Sequence, residues 1–149
     1  MRFFFHELDI KEIMNMVVII DIDATLTDNS SFSISPEVSE KISRLSKHNR
    51  VLLLSNKKSG LRNKLLAEKL KVECIETKYC KPNKKILQNI DNLQERPIIV
   101  IGNKFLTDGF FTKSIGAKFI KIKRITSPQE NIVNRLTYLI DDVLSRIFI

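Results

Sequence analysis

The chain has 149 residues, 43% of them hydrophobic, and 25 Lys and Arg against 17 Asp and Glu give a formal charge of +8. That length and apolar content suit one domain, residues 1–149, with a real core, and four Gly and four Pro leave no low-complexity linker. No apolar run approaches the roughly 20 residues that span a bilayer. The positive charge favours anionic partners, but no aromatic residues interleave the lysines as a base-stacking platform would, so nucleic acid is not expected.

In the N-terminal segment, three Phe follow Arg2, but His6, Glu7 and Asp9 break up any signal-peptide core, and the Arg- and Ser-rich character of a transit peptide is lacking. Next, Val17 to Ile20 run straight into Asp21, with Asp23 two positions on. Four apolar residues in a row read as a strand buried on both faces of a parallel sheet. Further strands are predicted at Val51–Ser55, Glu73–Glu76, Ile98–Gly102 and Lys118–Ile122. Helices are predicted at about Pro36–Lys47, Leu61–Leu70, Asn83–Asn92, Leu106–Ile115 and Pro128–Ile147. Pro36 and Pro128 each follow a Ser and suit a first helical turn, where a missing N–H does no harm. Val38, Ile42 and Leu45 give the first helix an apolar face. Cys74 and Cys80 form no CxxC pair, so spacing signals no structural zinc site, and free thiols suit a reducing compartment. The expected location is cytoplasmic, extending to the periphery of a membrane. The last segment carries Ile132, Leu136, Leu139, Ile140, Val143, Leu144 and Ile147. This stripe is read as docking onto the sheet, with a dimer contact or a membrane surface as alternatives.

Strands and helices in strict alternation imply right-handed crossovers and an α/β, doubly wound, mostly parallel five-stranded sheet. The C-terminal strand ends then open onto one edge, where ligands bind in such folds. Those ends carry Asp21 and Asp23, then Ser55-Asn56, then Lys81-Pro82, then Gly102-Asn103 with Thr107-Asp108. Carboxylates, a hydroxyl, a lysine and further oxygen ligands fit phosphoryl transfer through an aspartyl-phosphate. Asp21 is the candidate nucleophile and Asp23 the candidate acid and base. Ser55 and Lys81 are candidate phosphate ligands, and Mg²⁺ would offset the repulsion between carboxylates and phosphate.

These residues carry a resemblance. Asp21-Ile22-Asp23-Ala24-Thr25, Ser55-Asn56, Lys81-Pro82 and Gly102-Asn103-x-x-x-Thr107-Asp108 resemble, in order, the four motifs of the haloacid dehalogenase (HAD) superfamily. The resemblance implies a Rossmann-like fold, Asp21, Asp23 and Lys81 as catalytic residues, and Ser55, Asn56 and Lys81 at the substrate. It also implies a Mg²⁺ site drawing on Asp21, Asp23, Asn103 and Asp108. The connections leave no room for a cap domain, so an open site is expected, suited to a bulky or membrane-bound substrate or to closure by a homo-oligomeric partner. Residues 100–120 and the segment His6 to Ile10 are similar to HAD-type phosphatidylglycerophosphate phosphatases, which would make the substrate an anionic phospholipid. A soluble sugar phosphate, nucleotide or histidinol phosphate remains the alternative within the superfamily. Asn103 departs from the pattern, which usually has Asp there. An amide oxygen can coordinate Mg²⁺, but one negative charge fewer should weaken binding, and a catalytically weakened binding module is the other alternative.

Overall fold

The computed structural model describes residues 3–29, 31–93 and 95–149. Five short strands, β1 (Val17–Asp21), β2 (Arg50–Leu54), β3 (Glu73–Cys74), β4 (Ile98–Gly102) and β5 (Lys118–Lys121), pair entirely in parallel in the order β3–β2–β1–β4–β5. Four α-helices accompany them: α1 (Pro36–Ser46), α2 (Gly60–Leu70), α3 (Phe110–Ile115) and α4 (Ile132–Phe148). The result is the expected α/β, Rossmann-like sheet with no cap domain inserted among the described residues.

The period of two along β1 divides the core. Val18 and Ile20 pack with Val38, Ile42 and Leu45 of α1 and Leu66 and Leu70 of α2. Val17 and Ile19 face the other side, with Leu52, Leu54, Val100, Ile86 and Phe111. Both faces of β1 are therefore buried, which is why its sequence is an uninterrupted apolar run. The chain leaves β1 toward β2 and β3, then crosses back to lay β4 on the opposite side of β1. Loops after β1 and β4 consequently diverge, and this switch point creates a crevice beyond Asp21 and Gly102.

Local details differ from the sequence reading where side chains compete for the backbone. The helix expected at 83–92 is a 3-10 segment, Lys84–Asn89, whose start is set by Asn83 accepting from the Lys85 N–H at 2.9 Å. The helix expected at 106–115 is split into a wide π turn, Phe105–Gly109, followed by α3. The final helix begins at Ile132, because Asn131 caps it by accepting from the Asn134 N–H at 2.8 Å. Its orientation corrects a larger expectation. The residues of α4 that are buried are Asp141 and Ser145, while the apolar stripe read as docking onto the sheet faces outward apart from half-buried Leu144. Asp141 explains the inversion. Its fully buried carboxylate accepts from the backbone N–H groups of Leu106 and Phe105 at 2.7 and 3.0 Å, and Lys121 and Arg124 neutralise it at 2.9 and 3.4 Å. Turning the helix over would strand those donors and cations without partners.

Candidate active site

Asp21 is the last residue of β1, and the chain turns sharply after it. The Thr25 and Leu26 N–H groups both reach back to the Ile22 carbonyl, and Ala24 takes a left-handed φ of 60°. This turn brings the Asp21 carboxylate, the Asp23 carbonyl and the Thr25 hydroxyl to one corner. Thr25 donates to Asp21 Oδ2 at 3.0 Å. Asn103, just past β4, aims its amide nitrogen into the same corner, 2.8 Å from both the Thr25 hydroxyl and the Asp23 carbonyl and 3.1 Å from Asp21 Oδ2.

Lys81 arrives from the loop after β3. Its Nζ lies 2.6 Å from Asp21 Oδ1 and 2.5 Å from Asp108 Oδ1, with all three side chains buried. Asn56 holds the Lys81 backbone at both ends: its Oδ1 accepts the Lys81 N–H at 2.7 Å, and its Nδ2 donates to the Lys81 carbonyl at 3.1 Å. Asn56 therefore positions the lysine. Asp108 sits on the π turn, where its other oxygen accepts the Lys104 N–H at 3.1 Å. Its carboxylate passes so close to Gly102 that a Cβ there would lie 2.2 Å from Asp108 Oδ2. Burial pushes the Asp21 carboxyl up to about 7, against the pull of Lys81 and with added repulsion from Asp108 and Asp23. For Lys81, burial opposes the charge, but the two carboxylates outweigh it and raise its proton affinity above that of an ordinary lysine.

Asp23 turns its side chain away from that corner. It accepts a hydrogen bond from the Ser55 hydroxyl and forms a 2.8 Å ion pair with Arg62, with Lys57 at 3.7 Å. Ser55 also accepts the Lys57 N–H at 3.0 Å. Of the residues singled out from the sequence, Asp21, Lys81, Asn103 and Asp108 share one cluster, while Asp23 and Ser55 form an adjoining pair. Arg62 and Thr25 are functional neighbours that sequence reasoning did not assign. Thr25 lies inside the first motif and could have been flagged by its hydroxyl two residues after Asp23. Arg62 sits on α2, 39 positions from its partner, and nothing local marks it.

A cleft of about 180 Å³ opens above these groups, lined also by Asn29, Lys57 and Lys104 and by Asn134 and Tyr138 of α4. It is too small to enclose acyl chains. The Tyr138 hydroxyl donates to Glu130 at 3.0 Å and accepts from Asn29 at 2.9 Å, tying the loop after β1 to α4. Among the described residues, no group of three His, Cys, Asp or Glu side chains is arranged as a metal cluster. The donor chemistry nevertheless fits a hard divalent cation. The Asp21 and Asp108 carboxylates share Lys81, the Asp23 carbonyl faces the same corner, and Asn103 would add an oxygen by turning its amide over.

A family model described as mitochondrial PGP phosphatase matches residues 5–126, most of the chain and every residue of this cluster except those of α4 and its N-terminal approach. No curated protein matches the chain. No helix among the described residues is long and apolar enough to cross a membrane.

Proposed function

The chain belongs to the mitochondrial PGP phosphatase family and is a phosphoric monoester hydrolase, and from that premise we propose that it removes the terminal phosphate of phosphatidylglycerophosphate through an aspartyl-phosphate on Asp21. The observation that carries this reading is Lys81 Nζ held between the Asp21 and Asp108 carboxylates beneath an open cleft. An Asp21 carboxylate oxygen attacks phosphorus and the bond to the glycerol oxygen breaks. Asp23 gives that oxygen its proton, then takes one from the water that hydrolyses the acyl phosphate and restores Asp21.

Asp23, ion-paired to Arg62 at rest, takes a proton from solvent as it leaves Ser55 and Arg62 to reach the leaving oxygen, and passes the proton it later takes from water back to solvent when it pairs with Arg62 again. The released Ser55 hydroxyl and the Lys81 ammonium then donate to the phosphoryl oxygens, where charge persists through the transition state. Asn56 keeps Lys81 in place during this exchange of partners. Asp21, Asp108, the Asp23 carbonyl and Asn103 would hold Mg²⁺, which when bound neutralises the repulsion between the carboxylates and the phosphate. A cleft that admits a head group but not acyl chains supports a substrate whose tails stay outside.

The test is a substrate panel with Mg²⁺, comparing phosphatidylglycerophosphate in mixed micelles with sugar phosphates, nucleotides and histidinol phosphate. The lipid should lead by at least about tenfold in kcat/KM, a margin of about 1.4 kcal/mol in transition-state binding. Preference for a soluble phosphate would replace the lipid reading, and turnover by an Asp21→Asn variant would rule out Asp21 as the nucleophile.

A further inference from the structure

Helix α4 lies beyond the residues the family model matches and is built inside out. Its polar side is bonded to the protein: Asp141 holds the turn that carries Asp108, Asn134 hydrogen-bonds Glu130 at 3.2 Å, and Tyr138 stacks against Arg124 at 4.3 Å. Ile132, Leu136, Leu139, Ile140, Val143 and Ile147 recur at helical spacing on the other side, and each is at least half exposed, from 50% for Val143 to 79% for Ile132. Exposed Phe110 extends this surface beside Phe148, because both rings lie against Phe105. A contiguous apolar face of this extent marks an interaction surface.

Its charge selects the partner. The exposed charged residues of α4 are Arg135 and Arg146 alone, and Lys113 lies 5.8 Å from the Phe148 ring. Both acids of the helix are turned aside, Asp141 and Asp142 meeting Lys121 and Arg124. An apolar stripe bordered by cations matches the surface of a bilayer containing anionic phospholipid. It suits a second copy less well, since an antiparallel two-fold pairing would set the arginine edge of one helix beside the same edge of the other.

We propose that α4 lies in the plane of an anionic membrane, apolar face inward, as the element that docks the enzyme there. Asn134 and Tyr138 on the opposite side of the same helix line the cleft, so docking holds the cleft mouth at head-group level. This holds whichever phosphomonoester is hydrolysed.

Flotation of the full chain with vesicles of phosphatidylcholine, with and without phosphatidylglycerol, tests it. Wild type should float with the anionic vesicles. Leu136→Gln combined with Ile140→Gln should bind about tenfold or more weakly, while turnover of a soluble aryl phosphate stays unchanged. Arg135→Gln and Arg146→Gln should each lower binding about fivefold, on anionic vesicles only. Unaltered flotation of the Leu136 and Ile140 variant overturns the proposal. So does a wild-type dimer, seen by sedimentation, that the same substitutions dissociate while vesicle binding is absent. Loss of aryl phosphate turnover in wild type would count against the catalytic reading instead, without touching the docking result.

Discussion

Replacing Asp21 by Asn should abolish turnover and, in the absence of metal, make the protein more stable by an amount that grows with pH. In the folded chain burial is the largest effect on Asp21 and lifts its carboxyl from the ordinary 3.8 to about 7, with Lys81 opposing the rise and Asp108 and Asp23 adding to it. An acid whose folded pKa is raised holds its proton in the fold after the unfolded chain has lost it. Its contribution to stability is therefore fully present below about pH 4 and is lost as pH rises to about 7. At about 1.4 kcal/mol per pH unit, a window of about three units bounds the loss at about 4 kcal/mol. The substituted amide carries no charge at any pH, so the variant is spared that loss. Lys81 gives up one of its two partners but keeps Asp108 at 2.5 Å, which trims the net gain at about pH 8 to about 1–3 kcal/mol. Urea unfolding of both proteins with a chelator, at about pH 5 and about pH 8, measures the difference. A gain that stays flat between the two pH values, or a variant less stable than wild type at the higher one, would refute the electrostatic account of this corner.

Other consequences follow from single contacts. Asn103→Asp places an acceptor where an amide nitrogen now donates to three oxygens. The metal-free protein should lose about 1–3 kcal/mol and Mg²⁺ affinity should rise, seen by calorimetric titration; unchanged affinity would mean that residue 103 does not face the metal. Gly102→Ala puts a methyl 2.2 Å from Asp108 Oδ2, and the displaced carboxylate should lower kcat by about a hundredfold; near-normal kcat would show that the position of Asp108 is not critical. Asp141→Ala strands two backbone donors and leaves Lys121 and Arg124 with Asp142 as their remaining carboxylate. It should lower stability by about 3–5 kcal/mol, with faster hydrogen exchange at the Phe105 and Leu106 amides, and wild-type exchange there would sever α4 from the π turn.

Much of this protein is written locally. The apolar run at Val17–Ile20 announces a strand buried on both faces, because a parallel strand covered on both sides has no place for a polar one. The alternation of elements led to the all-parallel sheet, and the polar residues after each strand led to the edge where Asp21, Lys81, Asn103 and Asp108 meet. Those inferences work because burial period and strand-end chemistry are properties of a few consecutive residues. Arg62 pairing with Asp23, and the amide of Asn103 facing oxygens where a cation would be expected, arise across long separations and belong to the assembled fold. The amphipathic pattern of α4 is the clearest division between the two. Its sequence states that one side is apolar and one polar, but periodicity carries no sign for which side meets the protein. That choice was made by the buried Asp141 carboxylate, whose two backbone donors and two cations exist only once the π turn, β5 and α4 have come together.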